Sequence, residues 1–423
     1  AIEKYEEALP VFRALGDRAM EAMTLHLAGF LSHSFGDLKK AMSYYNQTLS
    51  ISRAIGDTTR EALMLNNLGA VYDVMGEMPQ AISHYDQALS LWKKLDLKDQ
   101  QGNTLNNIGL VYFNLGELQK ALEFYNLALP LRRAGTNRRF EADTLDNLGH
   151  LYIVLGDQQQ ALEFLRQSLE LRRGAKDTRG EANTLQKIGF AYAASGDFVN
   201  ARQYNNQALP LWKSIADVMG ESGSLRAIGI TFISTGNNGK ALEYLQQALQ
   251  LQISIQAQRE QALTFGNLGD VYASSGQPQK AMECYTQSLT LFRAVDDKRG
   301  QATAFQGQAR VERDLGNFAE ARKRIESAIT AVEDVRGHLG NEQLRASYLA
   351  TGQNAYQFQI DLLMQMHQRE PVAGYDAIAL QISERARARS LLEMLTESRA
   401  DIRRGADAAL LSRERELTQQ ING

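Results

Sequence analysis

The stretch LNNIGLVYFNLG, at residues 105–116, determines how the rest of the chain is interpreted. The same pattern returns every 40 residues without a gap. A self-similar period of about 20 to 50 residues is typical of stacked-repeat proteins, in which each unit contacts only its neighbours. The length of 423 residues therefore reflects a number of repeats more than a number of globular domains. A glycine ends the pattern at positions 36, 76, 116, 156, 196, 236, 276 and 316.

Apolar residues within one 40-residue unit are spaced for two helices. Leu65, Leu68 and Tyr72 follow one another at the three- and four-residue intervals of a helix face. We place the first helix near 58–75 and the second near 78–95, and repeat both by 40 residues. Every unit is therefore expected to be a pair of antiparallel helices.

Small residues and prolines complete this prediction. Gly76 is expected to end the first helix in a left-handed conformation. Gly69 and Ala81 are small enough to let the two helices of a unit approach closely, with Tyr72 and Tyr85 filling the space between them. Three prolines at equivalent positions predict kinks in second helices, which are Pro10, Pro130 and Pro210.

These residues carry a family resemblance. The pattern L-x2-L-G-x2-Y at 65–72 and A-x3-Y at 81–85 resembles the tetratricopeptide repeat, and the 40-residue period is similar to that of kinesin light chains. The likeness covers about 1–335, as eight full repeats and an initial half. It implies an all-α, right-handed superhelical solenoid of antiparallel helix pairs. The departures at Ser32, Glu312 and Gln308-Ala309 are expected of atypical terminal repeats.

The pattern changes near residue 335, and 336–423 is expected to be a separate helical region. Its segments LRASY at 344–348 and ISERARARSLL at 382–392 resemble the connector that joins such repeats to a caspase-like peptidase domain of the CHAT type. No residue corresponds to the histidine or cysteine of that peptidase. Long helices are predicted at about 341–369, 375–398 and 406–420.

No catalytic, cofactor or metal site is predicted. The single cysteine, Cys284, falls at a position that is aromatic in several other repeats, which favours a buried, unreactive thiol over a nucleophile. The six histidines have no metal-ligand spacing, and no phosphate-binding glycine motif occurs. We therefore expect a chain that is not itself an enzyme.

Charge and hydropathy restrict the possible partners and location. The net charge of −3 gives no field that would attract nucleic acid. The sequence has no apolar run long enough to span a membrane. One cysteine suits a reducing compartment, so we expect a cytoplasmic protein without a membrane partner. The sequence begins inside a repeat, at Ala1, so a missing native N-terminus is also expected.

The resemblance places the first helices along a concave groove, where a protein or peptide partner is expected to bind. Asparagines recur at two of the groove positions, and an amide offers two donors and an acceptor to a peptide backbone. The alternative is that these amides bond to the adjacent repeat. A partly apolar groove with polar anchors favours a peptide or a partner helix over a charged ligand. The expected groove residues are Asn66, Asn67, Asn106, Asn107, Asp146, Asn147 and Asn267, together with Phe113, His150 and Phe190.

These observations indicate a protein–protein interaction scaffold. The connector resemblance adds the hypothesis that the chain is the sensor or regulatory arm of a bacterial CHAT peptidase, whose catalytic domain is absent from this sequence. The alternative is a stand-alone adaptor or assembly scaffold without an attached enzyme. The basic run Arg385, Arg387 and Arg389 is interpreted as a solvated helix face, with docking of a downstream domain as the alternative.

Overall fold

The computed structural model describes residues 2–338 and 349–387, and all regular structure in this part of the chain is helical. Most helices have 17 residues and follow one another at the predicted period. Their bounds are α1 Ile2–Leu15, α2 Arg18–Ser34, α3 Leu38–Ile55, α4 Thr58–Val74, α5 Met78–Lys94, α6 Lys98–Asn114, α7 Leu118–Ala134, α8 Arg138–Val154, α9 Gln158–Gly174, α10 Thr178–Ala194, α11 Phe198–Ser214, α12 Val218–Ser234, α13 Asn238–Ser254, α14 Gln258–Ser274, α15 Pro278–Ala294, α16 Lys298–Asp314, α17 Phe318–His338, α18 Leu349–Arg369 and α19 375–387.

The array of paired helices confirms the predicted fold class. Even-numbered helices from α2 to α16 are the first helices of the repeats, and each packs against the second helix that follows it. Within the described residues the chain forms two compact units, one up to Asp217 and one from Val218 onwards. The predicted domain boundary near 335, where the repeat pattern changes, stays a prediction.

Turn chemistry sets the helix boundaries. Gly76 has φ of +79° and ends α4 as predicted, because glycine adopts the left-handed region without steric cost. The side chain of Asp57 accepts a hydrogen bond from the backbone N–H of Arg60 at 2.9 Å and so caps α4. The predicted glycine end is therefore present, and an aspartate cap begins the same helix.

Gly69 and its equivalents in other repeats lie where the two helices of a unit approach closely. A Cβ atom on Gly69 would lie 2.7 Å from Cε1 of Tyr85, so the tyrosine ring occupies the space that a side chain at 69 would need. Tyr85 is 2% exposed and Ala81 is fully buried beside it. The prolines Pro10, Pro130 and Pro210 lie exposed within helices that continue past them.

The repeat ends at α18, where a long helix takes the place of a hairpin. Ala355 and Leu362 of α18 are fully buried in a core with Ala321 and Ile325 of α17. The predicted helix 341–369 agrees with α18 from residue 349 onwards, and α19 covers the first half of the predicted 375–398 helix. The other predicted parts, 341–348, 388–398 and 406–420, lie outside the described residues, as does Arg389 of the basic run.

Candidate functional site

One side of each first helix is left uncovered by its second helix. In α4 this side carries Leu63, Asn67, Ala70 and Val74, which are half-buried or exposed and follow at three- and four-residue intervals. Helix α4 contacts α6, α6 contacts α8, and α8 contacts α10, all within residues 1–217. We call the surface formed by this side of α4, α6, α8 and α10 the first-helix face.

Three of the expected groove residues do not lie open on this face. Asn66, Asn106 and Asp146 are only 6%, 6% and 3% exposed, and each accepts a hydrogen bond from a threonine of the next repeat. They therefore hold neighbouring repeats together, which is the alternative that the sequence left open. The expectation that these three side chains contact a ligand is corrected accordingly. The bonds join Oγ1 of Thr104 to Asn66 (3.0 Å), of Thr144 to Asn106 (3.0 Å) and of Thr184 to Oδ1 of Asp146 (2.9 Å).

The asparagines one position later are half-buried on the first-helix face. Asn147 donates from Nδ2 to Oδ1 of Asn106 at 3.1 Å. The amides of Asn67 and Asn107 make no hydrogen bond within the described part of the chain. An amide that stays free in a partly dry surface can bond the backbone of a ligand at little desolvation cost.

The expected aromatic residues divide into a pair and an open ring. Phe113 of α6 and His150 of α8 pack together, with ring centroids 4.9 Å apart. Burial and then the nearby Lys187 lower the pKa of His150, which keeps its imidazole neutral near pH 7. Phe190 of α10 is 55% exposed and offers an apolar contact on the same face.

Asn267 belongs to the second unit, where it lies half-buried on α14. Its Oδ1 atom is buried and has no hydrogen-bond partner among the described residues. It is therefore considered apart from the asparagines of the first-helix face.

A buried ion network lies behind this face. Arg172, which is 6% exposed, bonds to Asp143, to Asp146 at 3.2 Å and to Asp177 at 2.7 Å. Burial opposes the charge, but these carboxylates outweigh it and raise the pKa of Arg172. Asp146 is therefore committed to an internal cation as well as to Thr184.

The repeat before it contains the equivalent arginine with amides in place of these three carboxylates. Arg132 is 2% exposed, and Asn103, Asn106 and Asn137 occupy the positions equivalent to the three aspartates around Arg172. Its Nη2 donates to Oδ1 of Asn103 at 2.9 Å, and its guanidinium lies 4.5 Å from the ring centre of Phe140. Burial lowers the pKa of Arg132 to about 10, so it stays charged at neutral pH.

Sequence reasoning missed the threonines and this network. The threonines had a signal, because Thr104, Thr144, Thr184 and Thr264 recur at equivalent positions with Ser224 between them. All of them are buried. A hydroxyl repeated at a core position indicates a repeat-to-repeat hydrogen bond, since a buried hydroxyl needs a partner.

The groups considered for chemistry lie in ordinary packing environments. Cys284 is half-buried against an apolar cluster, and burial, followed by the charge of Glu283, raises its pKa to about 11. Such a thiol is protonated and unreactive at neutral pH. Within 2–338 and 349–387, no group of three or more histidine, cysteine, aspartate or glutamate side chains could hold a metal ion. None of the described helices is both long and apolar enough to cross a membrane.

Several solved structures have a similar fold. A Rap protein complexed with competence and sporulation factor is 14% identical with a TM-score of 0.55, covering 87% of this chain and 99% of that one. The apo form of RapI is 16% identical with a TM-score of 0.54, covering 66% and 99%. A STAND protein (signal transduction ATPase with numerous domains) with a tetratricopeptide repeat sensor, from Pyrococcus horikoshii, is 14% identical with a TM-score of 0.53, covering 86% and 55%. At these identities the likeness shows the fold alone.

No curated protein has significant sequence similarity to the chain. A family model for the tetratricopeptide repeat matches residues 60–134, 100–174, 180–254 and 260–334. These matches cover more than half of the chain and coincide with helices α4 to α17. The chain therefore belongs to the tetratricopeptide repeat family.

Proposed function

We propose that the chain is a protein-interaction scaffold that captures an extended peptide on its first-helix face. One observation carries this proposal: Asn67, Asn107 and Asn147 stand half-buried at 40-residue intervals, and two of their amides have no partner within the described residues. Free amides in a fixed spacing are suited to a ligand with regularly spaced backbone groups.

Dimensions and polarity agree with such a ligand. Packed helices lie about 8 to 10 Å apart and an extended chain advances about 3.3 Å per residue, so each repeat corresponds to about three ligand residues. Apolar contacts are available on the same face from Val74, Val154 and Phe190, which are 64%, 51% and 55% exposed. Amides would fix the backbone while apolar contacts select side chains.

The structural relatives add support. The Rap protein of similar fold was crystallised in complex with competence and sporulation factor. In the STAND protein the repeats are named as a sensor within a larger chain. Both relatives agree with a recognition role for the repeats.

Peptides selected from a random display library on the whole chain provide the test. Replacing Asn67, Asn107 and Asn147 together by Ala is expected to weaken their binding at least tenfold, since each hydrogen bond contributes about 0.5 to 1.5 kcal/mol. Fluorescence anisotropy measures the affinity, and circular dichroism checks helicity.

A matched control uses three asparagines that lie exposed on second helices of the same unit, Asn46, Asn126 and Asn206. Their replacement by Ala is expected to change the affinity less than twofold. Equal affinity of the groove variant and the original chain would exclude the assigned role of the first-helix face.

The attachment of this scaffold to an enzyme is the finer part of the proposal. We infer from the resemblance at 344–348 and 382–392 that it is the sensor arm of a cytoplasmic, bacterial CHAT peptidase, with the C-terminal helices as the docking surface for that domain. Arg385 and Arg387 are exposed on α19, where Arg387 donates to Glu384 at 3.2 Å. Sequencing the gene beyond Gly423 tests this: a caspase-like domain is expected, and any other continuation contradicts it.

A further inference from the structure

The last repeat departs from the pattern at two positions on one side of α16. Gln308 stands where the six preceding repeats have Leu or Ile, at 68, 108, 148, 188, 228 and 268. Glu312 stands one turn later, where those repeats have Tyr or Phe. Residues four apart share a helix face, so both polar replacements lie on the same side of α16.

In one earlier repeat the aromatic residue also reaches the second helix of the repeat before it. Tyr192 of α10 stacks on Tyr204 of its own repeat, with ring centroids 5.5 Å apart, and its hydroxyl accepts a hydrogen bond from Arg166 of α9 at 3.2 Å. At the equivalent place in the last repeat, Glu312 of α16 faces Thr286 of α15, and a cleft of about 440 Å³ is open between the two helices. Its walls include Met282, Glu283, Thr286 and Gln287 of α15, with Glu312 and Leu315.

A buried hydrogen-bond acceptor lies behind the wall of this cleft. Gln308 is 2% exposed, and its Nε2 donates to Oγ1 of Thr286 at 3.1 Å, which brings the carboxamide against a residue that lines the cleft. Its Oε1 is buried and has no donor among the described residues. A buried acceptor without a donor is costly, so the carboxamide beside Thr286 leaves an unmet hydrogen bond close to the cleft.

The two carboxylates of the cleft are also without a cation. Glu312 accepts a hydrogen bond from Nδ2 of Asn317 at 2.9 Å, and neither Glu312 nor Glu283 forms an ion pair with any described residue. Met282 and Leu315 supply apolar wall beside them. The cleft thus combines acceptors and negative charge with an apolar side, which complements a cationic donor on an aliphatic stem.

We propose that this cleft binds a basic side chain, preferably the guanidinium of an arginine, presented by a peptide. Carboxylates recognise a guanidinium through charge-assisted, often bidentate hydrogen bonds, and the aliphatic stem packs on the thioether and leucine side chains. The cleft lies in the unit 218–423 and is separate from the first-helix face, so this proposal does not depend on the proposed function.

A fluorescein-labelled pentapeptide, Gly-Ser-Arg-Ser-Gly, and the same peptide with citrulline in place of arginine test the proposal on the whole chain. Citrulline has nearly the same shape without the charge. The arginine peptide is expected to bind about tenfold or more tightly, because charge-assisted hydrogen bonds are about twice as strong as neutral ones. Agmatine, which is the free guanidinium on an alkyl stem, is expected to compete. Equal binding of the two peptides would overturn the proposal.

Two variants locate the binding. Glu312→Tyr restores the aromatic residue of the other repeats and fills the cleft, so it is expected to abolish the preference for arginine while leaving the chain folded. Glu283→Gln removes an exposed charge of the cleft and is expected to weaken the arginine peptide several-fold. Glu243→Gln, at the equivalent exposed position of α13, is the control and is expected to have no effect. An unchanged arginine preference in both cleft variants would contradict the assignment.

Discussion

Consecutive residues of one helix perform different tasks in this protein. Asn66 is buried against the next repeat, whereas Asn67 is half-buried on the first-helix face. One residue turns a helix by about 100°, which is enough to move a side chain from an interface to a surface. Repeat register predicted both positions as groove residues but could not separate them, because both carry the same amide. The recurrent Thr104 was the signal that would have separated them.

Asn205 is a polar residue at a core position. Leu165 and Leu245 occupy the equivalent positions in the neighbouring repeats, and most other repeats have Tyr there. Asn205 is 2% exposed; its Nδ2 donates to the carbonyl of Ala201 at 2.8 Å, and its Oδ1 has no partner in the described part of the chain. This acceptor lost its hydrogen bonds to water without gaining one in the fold.

Asn205→Leu is therefore expected to stabilise the protein by about 1 to 3 kcal/mol, which is the usual cost of an unsatisfied buried polar group. The urea midpoint of unfolding, followed by circular dichroism, measures the change. Leu165→Asn is the reverse control and is expected to lower the midpoint. A midpoint that stays constant in Asn205→Leu would show that the oxygen is not a source of instability.

His150 links stability to pH. Burial, followed by the charge of Lys187, lowers its pKa in the folded state below the ordinary value of about 6.5. The unfolded chain therefore binds a proton at this imidazole more readily than the folded chain. As a result, His150 does not reduce the free energy of unfolding above about pH 6.5, and this free energy falls as the pH decreases through that value. His26 is shifted in the same direction, by burial and then Arg60.

His150→Gln removes one of these titrating groups. Between pH 7.5 and 5.5 the variant is expected to lose less stability than the original chain, as measured by urea unfolding at each pH. Adding His26→Gln is expected to reduce the loss further. Parallel pH profiles for all three chains would contradict the account of the buried imidazoles.

At the scale of helices, the glycine of the first helix and the residue facing it in the second helix form a matched pair. Gly29, Gly69, Gly109 and Gly269 lie against tyrosine rings, while Gly149 and Gly229 lie against Leu165 and Leu245. In the last repeat Ala309 replaces the glycine and Ile325 replaces the tyrosine. The larger residue on one helix is thus accommodated by a smaller one on the other.

Gly69→Ala is expected to destabilise the protein by about 1 to 3 kcal/mol, because the new methyl group overlaps the ring of Tyr85. Combining it with Tyr85→Ile reproduces the pair of the last repeat. A double-mutant cycle measured by urea unfolding is expected to show that the double variant loses at least about 1 kcal/mol less than the sum of the single losses. Additive losses would mean that the two positions do not share this space.

The junctions between repeats show a limit of sequence reasoning at the same scale. The glycine at the end of each first helix was predictable, since Gly76 and its equivalents are needed for the left-handed conformation. The turn after the second helix adopts this conformation too, but at Asp96, Lys176 and Gln256 as well as at Gly56. Residues other than glycine adopt the left-handed conformation only at a cost in free energy. Because their identity does not indicate this conformation, only their position in the repeat does.

At the scale of the whole molecule, the regular period determined the positions of the helices almost completely. The predicted helices 58–75 and 78–95 agree with α4 and α5 to within one residue. The end of the array was predictable from the missing turn glycine, because Tyr356 takes its place and is buried within α18. Hydrogen-bond partners were not predictable, because they depend on contacts between repeats that a period does not describe.

Helix α18 is expected to stabilise the unit 218–423 by covering the core of its last repeat. Leu362 is fully buried there, so Leu362→Ala should cost about 2 to 5 kcal/mol of stability, as for other large-to-small core substitutions. Leu380, on α19, is 62% exposed, and Leu380→Ala is expected to change stability by less than about 0.5 kcal/mol. Thermal unfolding compares the two variants; equal effects would contradict the sealing role of α18.

Photo-crosslinking with a library-selected peptide shows whether the first-helix face captures a peptide. Benzoylphenylalanine replaces either Phe190, which is 55% exposed on that face, or Leu127, which is 52% exposed on the second helix α7. We predict that the peptide crosslinks to position 190 and not to 127. Crosslinking at 127 with none at 190 would contradict it.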